Sequence, residues 1–325
     1  MKYKLLVFYN TCGISGNEQI ELYIQSINSI LNQDFDNFKV VVSSCLNTRQ
    51  VRDRLHKEFG NRIAYNFINT LVPVNISFNH SVQQAVERMG AAEGYLYMDS
   101  GVSFGEDKNV LKNLYALHKS GPYGMTAGRV DSDSGIFLWY GKGANPEDES
   151  GQEELLKDGH FIVPVGKTLN LHLQIFDHAL YETFDKRLMP DIFASHSTEG
   201  TFTFLNACIN KKFVLCKDVK VRHFTSMDGG SSGFRPEYAR VPGWKHTLPS
   251  SPITIEQIIE DPQVKEVGFG YEECQNILMH DPTKFDENGY SLEPEKLKKF
   301  MMKFYLPAEN FRYDLIDHAF IPANA

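Results

Sequence analysis

Hydrophobic positions in the first hundred residues switch between short runs of strand length and stripes with helical spacing. The apolar runs at 4–9, 38–42, 62–68 and 94–98 predict four buried strands. The stripes between them predict three helices that each bury one face, at Ile20, Ile24, Ile27 and Leu31, at Val51, Leu55 and Phe59, and at Phe78, Val82, Ala85, Val86 and Met89. This β-α-β-α-β-α-β order predicts parallel strands with right-handed crossovers, and therefore a doubly wound α/β sheet.

Turn and cap residues suggest where these helices begin and end. Ser15 with Glu18 fits a capping box for the first helix, and Asn47 can cap the second. Gly60 is a stop signal for the second helix. The third helix is expected to begin at about Ser77.

The carboxyl ends of parallel strands are where doubly wound sheets bind ligands. Asp99 ends the fourth strand, where its carboxylate can bind a divalent cation, although an Asp before Gly101 could also simply start a turn. The residues that the predicted topology places at this edge, and that we take as candidate ligand contacts, are Asn10, Thr11, Cys12, Ser43, Ser44, Asn79, Asp99 and Ser100.

The pattern weakens after Gly121. Strands are expected at 124–130 and 135–141, short helices at 176–184 and 200–210, and either one bent strand or two short strands at 212–223. Residues 226–252 are rich in Gly, Ser and Pro, as a mobile lid would be. We therefore divide the chain into an α/β domain that carries the candidate ligand site (1–225), a lid or linker (226–252) and a helical C-terminal extension (253–325).

Composition narrows the class of protein. The 325 residues carry 33 Lys and Arg against 41 Asp and Glu, a net charge of −8, which argues against nucleic acid or an anionic membrane as the main partner. No apolar run is long enough to span a bilayer, and the N-terminus is more typical of a strand than of a signal peptide. Five cysteines without a C-x-x-C pair indicate a reduced, cytoplasmic chain, which could lie at the periphery of a membrane.

Residues 1–230 resemble family-2-type glycosyltransferases with the GT-A fold. The resemblance is carried by the order of several short motifs: Ser29 to Gln33, the strand ending at Ser44, Asn79, YLYMDSG at 95–101, YETFDKRL at 181–188, SHSTEGTFTFLNACINKKF at 195–213 and VKVRHF at 219–224. It implies a GT-A-type, Rossmann-like doubly wound mixed sheet. It also implies that Asp99 and His223 bind Mn²⁺ or Mg²⁺, and that Glu199 is the catalytic base.

The chain departs from the family pattern at four positions. Ser43 and Ser44 stand where the family carries acids that hold the nucleotide base. Gly101 and Gly200 each replace the second acid of a pair. These changes weaken the expectation of metal dependence and of an inverting reaction.

Each implied role has a plainer alternative. Glu199 could cap the helix that follows it, because acids suit a helix N-terminus. His223 could be a half-buried strand residue. Basic residues in or near the lid could clamp a diphosphate or simply be solvated; these are Arg222, Arg235, Arg240, Lys245 and His246.

The resemblance implies a hexosyltransferase that moves a sugar from a nucleoside-diphosphate donor, with a UDP-sugar favoured, to a hydroxyl of a glycan, a lipid-linked molecule or a protein. If Glu199 is the base, the reaction inverts the anomeric centre. Two alternatives remain: a member of the fold that binds a sugar nucleotide or glycan without turnover, and a sugar-phosphate nucleotidyltransferase. The last is disfavoured because the loop 11–18 has no Lys or Arg for a triphosphate. The C-terminal helices could also mediate homo-oligomers.

Overall fold

A single mixed sheet organises the chain. The computed structural model describes residues 1–12, 17–45, 47–69, 72, 74–132, 159–167, 169, 171–191, 198–224, 285–305 and 316–323. Its ten strands are β1 (Tyr3–Cys12), β2 (Phe38–Cys45), β3 (Ala64–Ile68), β4 (Ala92–Asp99), β5 (Val102–Ser103), β6 (Tyr123–Ser132), β7 (Phe161–Ile162), β8 (Leu173–Asp177), β9 (Lys212–His223) and β10 (His318–Ile321). They are ordered β10-β3-β2-β1-β4-β8-β6-β9-β5, and β7 pairs with β9.

The first four strands form a parallel block, as the sequence predicts. β1 lies between β2 and β4, and β2 continues to β3, all in parallel register. The predicted α/β fold with a mixed sheet is therefore confirmed. The helices in the part of the chain described are α1 (Asn17–Leu31), α2 (Arg49–Phe59), α3 (Val74–Met89), α4 (Val110–Ser120), α5 (His178–Thr183), α6 (Phe202–Cys208) and α7 (Pro294–Met301).

These helices cover both faces of the sheet. Side chains from α1, α2 and α4 share one apolar core with alternate residues of β1, including Leu5 and Val7. Side chains from α3, α5, α6 and α7 share the second core, which takes the intervening residues Leu6 and Phe8. Because both faces of β1 are buried, its sequence shows no polar alternation.

Two helix boundaries differ from the predicted ones. Thr48, not Asn47, caps α2: the Thr48 hydroxyl accepts a hydrogen bond from the Val51 amide at 3.3 Å. The third helix begins at Val74, three residues before the predicted Ser77. Ser15, half of the predicted capping box for α1, lies outside the described residues.

The second half of the sheet resolves two open predictions. Residues 212–223 form one strand, β9, and its pairing with β6 shifts register between Gly128 and Arg129. The segment predicted as a helix at 176–184 is the end of β8 followed by α5. The predicted strand at 135–141 and the lid at 226–252 lie outside the described residues.

The C-terminal region, where it is described, belongs to the same folded unit. β10 adds an antiparallel strand beside β3, which the sequence pattern did not predict. Leu297 and Met301 of α7 are buried in the core that also contains α6. Among the described residues, no helix is both long and apolar enough to cross a membrane.

Segment 184–191 is held by an internal ion pair and by Tyr305 from the C-terminal region. Arg187 donates to Asp191 at 2.6 Å, and both side chains are almost fully buried. Tyr305 stacks on Phe184 with 5.1 Å between ring centroids, and the Arg187 guanidinium lies 5.2 Å from the Tyr305 ring. Removing only one partner of such a buried ion pair strongly destabilises a fold, because the other charge is left buried and unpaired.

The Asp177 carboxylate joins α4, α5 and Lys211, the residue before β9. Oδ2 accepts from Lys211 at 2.8 Å and lies 3.3 Å from His118 Nε2, and Oδ1 accepts from the Ala179 amide at 2.7 Å. Burial alone would raise the pKa of Asp177. The contacts with His118, Lys211 and the Ala179 amide outweigh burial and hold that pKa well below its ordinary value.

Asp177→Asn should therefore destabilise the fold in a pH-dependent way. A depressed pKa contributes stability that is present above the unfolded-state value of about 3.9 and is lost as the pH falls through the folded-state value. We expect a loss of roughly 2 kcal/mol at pH 7 that narrows steadily below pH of about 4. Urea unfolding at several pH values measures the difference. Asp36→Asn, at an exposed pair with Lys4, is the control and should change stability little; an equal loss for Asp177→Asn at every pH would contradict the account.

Candidate functional site

Asp99 is held in a defined direction at the carboxyl end of β4. The Tyr97 hydroxyl donates to Asp99 Oδ1, and His172 Nδ1 lies 2.7 Å from Asp99 Oδ2. The Asp99 amide also donates to the His172 carbonyl at 3.0 Å. Main chain and side chain together therefore tie Asp99 to residue 172, which immediately precedes β8.

Asp99, His172 and His223 form a compact group of donor atoms. One ligand atom from each of the three lies within 4.8 Å of the others. The two imidazole rings are 5.1 Å apart at their centroids, and His223 is buried at the end of β9. Ligand atoms around one ion with bonds of about 2.0–2.2 Å are separated by up to about 4.4 Å, so this donor set fits a divalent cation with little adjustment.

Gly101 explains one departure from the family pattern. A Cβ at position 101 would lie 2.6 Å from His223 Nε2 and 2.7 Å from Cε1, closer than real Cβ contacts occur. The His223 ring therefore occupies the space that a side chain at 101 would need. The Phe224 amide donates to the Gly101 carbonyl at 2.9 Å, which holds β9 against this turn.

Glu199 lies beside this group, in the 3₁₀ turn Thr198–Thr201 that leads into α6. Burial raises the pKa of Glu199, and the nearby charge of Asp99 raises it further. The amides of Glu199 itself and of Leu171, together with His172, act in the opposite direction without cancelling the effect. A carboxylate with a raised pKa is a stronger proton acceptor than an ordinary glutamate.

Asn10, a candidate ligand residue on β1, lies next to Asp99 in the sheet. Asn10 is the register partner of Asp99 and donates to the carbonyls of Phe8 and Met98, at 3.0 and 3.2 Å. The Ser100 carbonyl accepts from the Tyr9 hydroxyl. These bonds fix the backbone around the candidate site.

Ser43 and Ser44, the candidate ligand residues on β2, are more buried than residues in contact with a ligand are expected to be. Ser43 is fully buried, and its hydroxyl bonds Ser77 and Ser81 on α3 at 3.1 and 2.7 Å. Ser44 is also buried. Thr11 donates to the Asn47 side-chain oxygen at 3.2 Å, which gives Asn47 a role other than the predicted cap.

Asn79 supports segment 184–191. Its Oδ1 accepts from the amides of Leu188 and Met189, at 2.9 and 3.1 Å, and its Nδ2 donates to the Met189 carbonyl at 2.8 Å. This fully buried amide therefore positions segment 184–191. The predicted contact of Asn79 with the donor stays a prediction.

Of the residues predicted to clamp the diphosphate, the structure describes Arg222. Arg222 is exposed and precedes His223 on β9, so strand alternation directs the two side chains to opposite faces. The Cys12 side chain and residues Arg235, Lys245 and His246 lie outside the described set.

His172 is the site residue that the sequence analysis did not predict. It lies in no recognised motif, and its position depends on the antiparallel pairing of β8 with β4, where Leu173 is the register partner of Met98. The signal available in the sequence was a histidine immediately before the apolar run LQIF at 173–176.

Solved glycosyltransferase structures resemble this chain in fold. S. aureus TarS matches with a TM-score of 0.50 and 19% identity, over 68% of this chain and 36% of the TarS chain. A TarS 1-349 structure matches with a TM-score of 0.48 and 17% identity, over 81% of this chain and 68% of that one. The mannosyltransferase PcManGT from Pyrobaculum calidifontis, in complex with GDP-Man and Mn²⁺, matches with a TM-score of 0.49 and 12% identity, over 94% and 85%.

The fold is thus that of GT-A glycosyltransferases, as the sequence resemblance implied. The chain spans little more than a third of the length of TarS, 36%. At such low identity the likeness establishes the fold and not the reaction. Sequence comparison matches no family profile and no curated protein.

Gly101→Ala should disrupt the candidate metal group without unfolding the protein. The added methyl group must displace the His223 ring, so we expect Mn²⁺ affinity to fall at least about tenfold, measured by isothermal titration calorimetry. Gly121→Ala is the matched control, because its Cβ would meet the Tyr123 ring at 2.8 Å at the end of α4, outside the β4–β8 pair. It should lower the melting temperature and leave Mn²⁺ affinity unchanged. Wild-type affinity in Gly101→Ala would refute this placement of His223.

Proposed function

We propose that this chain is a metal-assisted glycosyltransferase that moves a sugar from a nucleoside-diphosphate donor to an acceptor hydroxyl. The observation that carries the proposal is the group of Asp99, His172 and His223 at the carboxyl end of β4, in a mixed sheet with the GT-A fold, with Glu199 near enough for the charge of Asp99 to raise its pKa. Ligands of doubly wound sheets bind at that edge. A UDP-sugar is the favoured donor, and the acceptor is a glycan, a lipid-linked molecule or a protein.

Asp99 and His223 are the residues that hold the divalent cation, Mn²⁺ or Mg²⁺. When bound, such a cation acts as a Lewis acid that offsets the charge of the departing diphosphate. Tyr97 keeps one oxygen of Asp99 occupied and thereby sets the direction of the carboxylate. Asn10 joins β1 to β4 beside Asp99 through its bond to the Met98 carbonyl. This bond helps to keep the edge of the sheet where the sugar donor would bind rigid.

Glu199 takes the proton of the acceptor hydroxyl. As that oxygen forms a bond to the anomeric carbon, the bond from this carbon to the diphosphate oxygen breaks, and the electron pair leaves with the diphosphate. Attack from the opposite face inverts the anomeric centre. The raised pKa of Glu199 supports this role, because it strengthens the carboxylate as a proton acceptor.

A non-catalytic member of the fold that binds a sugar nucleotide or glycan is the second candidate. It is favoured by the burial of Ser43 and Ser44, which replace acids that hold the nucleotide base in the family. Turnover separates the two candidates, since only the transferase releases a nucleoside diphosphate. A cytoplasmic location and homo-oligomers stay predictions.

The proposal predicts that Glu199→Gln separates donor binding from chemistry. We expect UDP or another nucleotide from a panel with GDP, CMP and dTDP to raise the melting temperature with Mn²⁺ and not with EDTA, in wild type and Glu199→Gln alike. Transfer from the matching nucleotide sugar should fall at least about 100-fold in Glu199→Gln, because a general base contributes about 10²–10⁴-fold. Product release is measured by coupled detection of the free nucleotide.

Two further variants make this experiment decisive. Asp99→Ala should lose the metal-dependent shift, whereas Glu182→Gln, at an exposed glutamate on α5 paired with Lys186, should retain both binding and transfer. A nucleotide shift without turnover in the wild type would favour the non-catalytic binder. No shift with any nucleotide would remove the donor-site assignment.

A further inference from the structure

We infer that His172 is a third protein ligand of the cation, so that the site binds a transition metal before the donor arrives and discriminates against Mg²⁺. The inference concerns the same metal site as the proposed function but does not depend on sugar transfer. It adds a ligand, and a metal preference, to the Asp99 and His223 pair that the family resemblance implied.

The position of His172 is fixed by the main chain. Its carbonyl accepts from the Asp99 amide at 3.0 Å, and the next residue, Leu173, pairs with Met98 in the sheet. The side chain can therefore reach the same point as Asp99 Oδ2, 2.7 Å from its Nδ1, without any loop rearrangement. Asp99 and His172 are both partly exposed, which leaves the group open to an entering ion.

The donor set determines which metals the group prefers. Two imidazoles and one carboxylate suit first-row transition metals, whereas Mg²⁺ prefers carboxylates and water and gives up its water shell reluctantly. A side chain at position 101 would require the His223 ring to move, because the ring occupies that space. The chain therefore presents nitrogen ligands where an acid pair would present oxygen.

A simpler role for His172 would be to orient Asp99 through their 2.7 Å contact. Loss of such an orienting group typically costs about 10–100-fold in metal affinity, so the size of the loss alone does not identify a ligand. A change in metal preference does identify a ligand. An orienting residue changes the affinities for Mn²⁺ and Mg²⁺ together, whereas a nitrogen ligand contributes mainly to Mn²⁺.

The test is calorimetric titration of the full chain with Mn²⁺ alone and Mg²⁺ alone, without nucleotide. We expect the wild type to prefer Mn²⁺ at least about tenfold. His172→Ala should lower Mn²⁺ affinity at least about tenfold and narrow the preference, and His172→Asp should recover binding while moving the preference toward Mg²⁺. Pulsed EPR of bound Mn²⁺ should show two histidine nitrogen couplings in the wild type and one in His172→Ala.

His160→Ala is the matched histidine control. His160 lies near Cys216 and Asp218 in a second group of potential ligands, but its Nδ1 already accepts from the Lys217 amide at 3.2 Å. Mn²⁺ binding should be unchanged in this variant. Melting temperatures verify that each variant is folded.

An unchanged ratio of Mn²⁺ to Mg²⁺ affinity in His172→Ala, or a single nitrogen coupling in the wild type, would overturn the inference. So would failure of the wild type to bind Mn²⁺ without nucleotide. Because no donor or acceptor is present, these outcomes are independent of whether the chain transfers sugars.

Discussion

The antiparallel pairing of β8 with β4 is the constraint on which the candidate site depends. Because the two strands run in opposite directions, the end of β4 at Asp99 lies beside the start of β8, and His172, the residue before β8, lies next to the Asp99 carboxylate. If the neighbouring strand were parallel, its last residues would lie beside Asp99 instead. The switch from the parallel block to the antiparallel β8 therefore supplies His172 to an edge where the sequence motif provides a single acid.

The rest of the fold keeps this edge rigid. Two apolar cores hold the sheet from both faces, and the side chains of Asn10 and Asn79 bond main-chain groups near the site. Asn79 and the pair Arg187–Asp191 fix segment 184–191. Tyr305 packs on Phe184 of that segment, so the C-terminal region contributes to the same packing.

Local signals were sufficient to predict much of the fold. The parallel order of β1 to β4 follows from apolar runs separated by stripes with helical spacing. Asp99 was predicted as a candidate ligand residue because it directly follows such a run.

The helix boundaries were predicted less accurately. Thr48 rather than Asn47 caps α2 because Asn47 instead meets Thr11, a contact between distant parts of the chain that no local pattern reveals.

The parts that the sequence did not predict depend on long-range pairing. β10 is a short strand whose partner β3 lies some 250 residues earlier in the chain, and its side chains carry no periodicity that would mark a strand. His172 was missed for the same reason. Gly101 was interpreted only as the loss of an acid, whereas in the structure the His223 ring occupies the space that a side chain at 101 would need.

We propose that Asp99, His172 and His223 hold one divalent cation that meets the donor diphosphate. Anomalous diffraction at the manganese edge, from crystals grown with Mn²⁺ and the nucleotide that stabilises the chain, tests it most directly. The account predicts one peak at bonding distance, about 2.0–2.3 Å, from all three side chains and adjacent to the diphosphate. A nucleotide bound at this edge with no peak among the three residues would contradict the account.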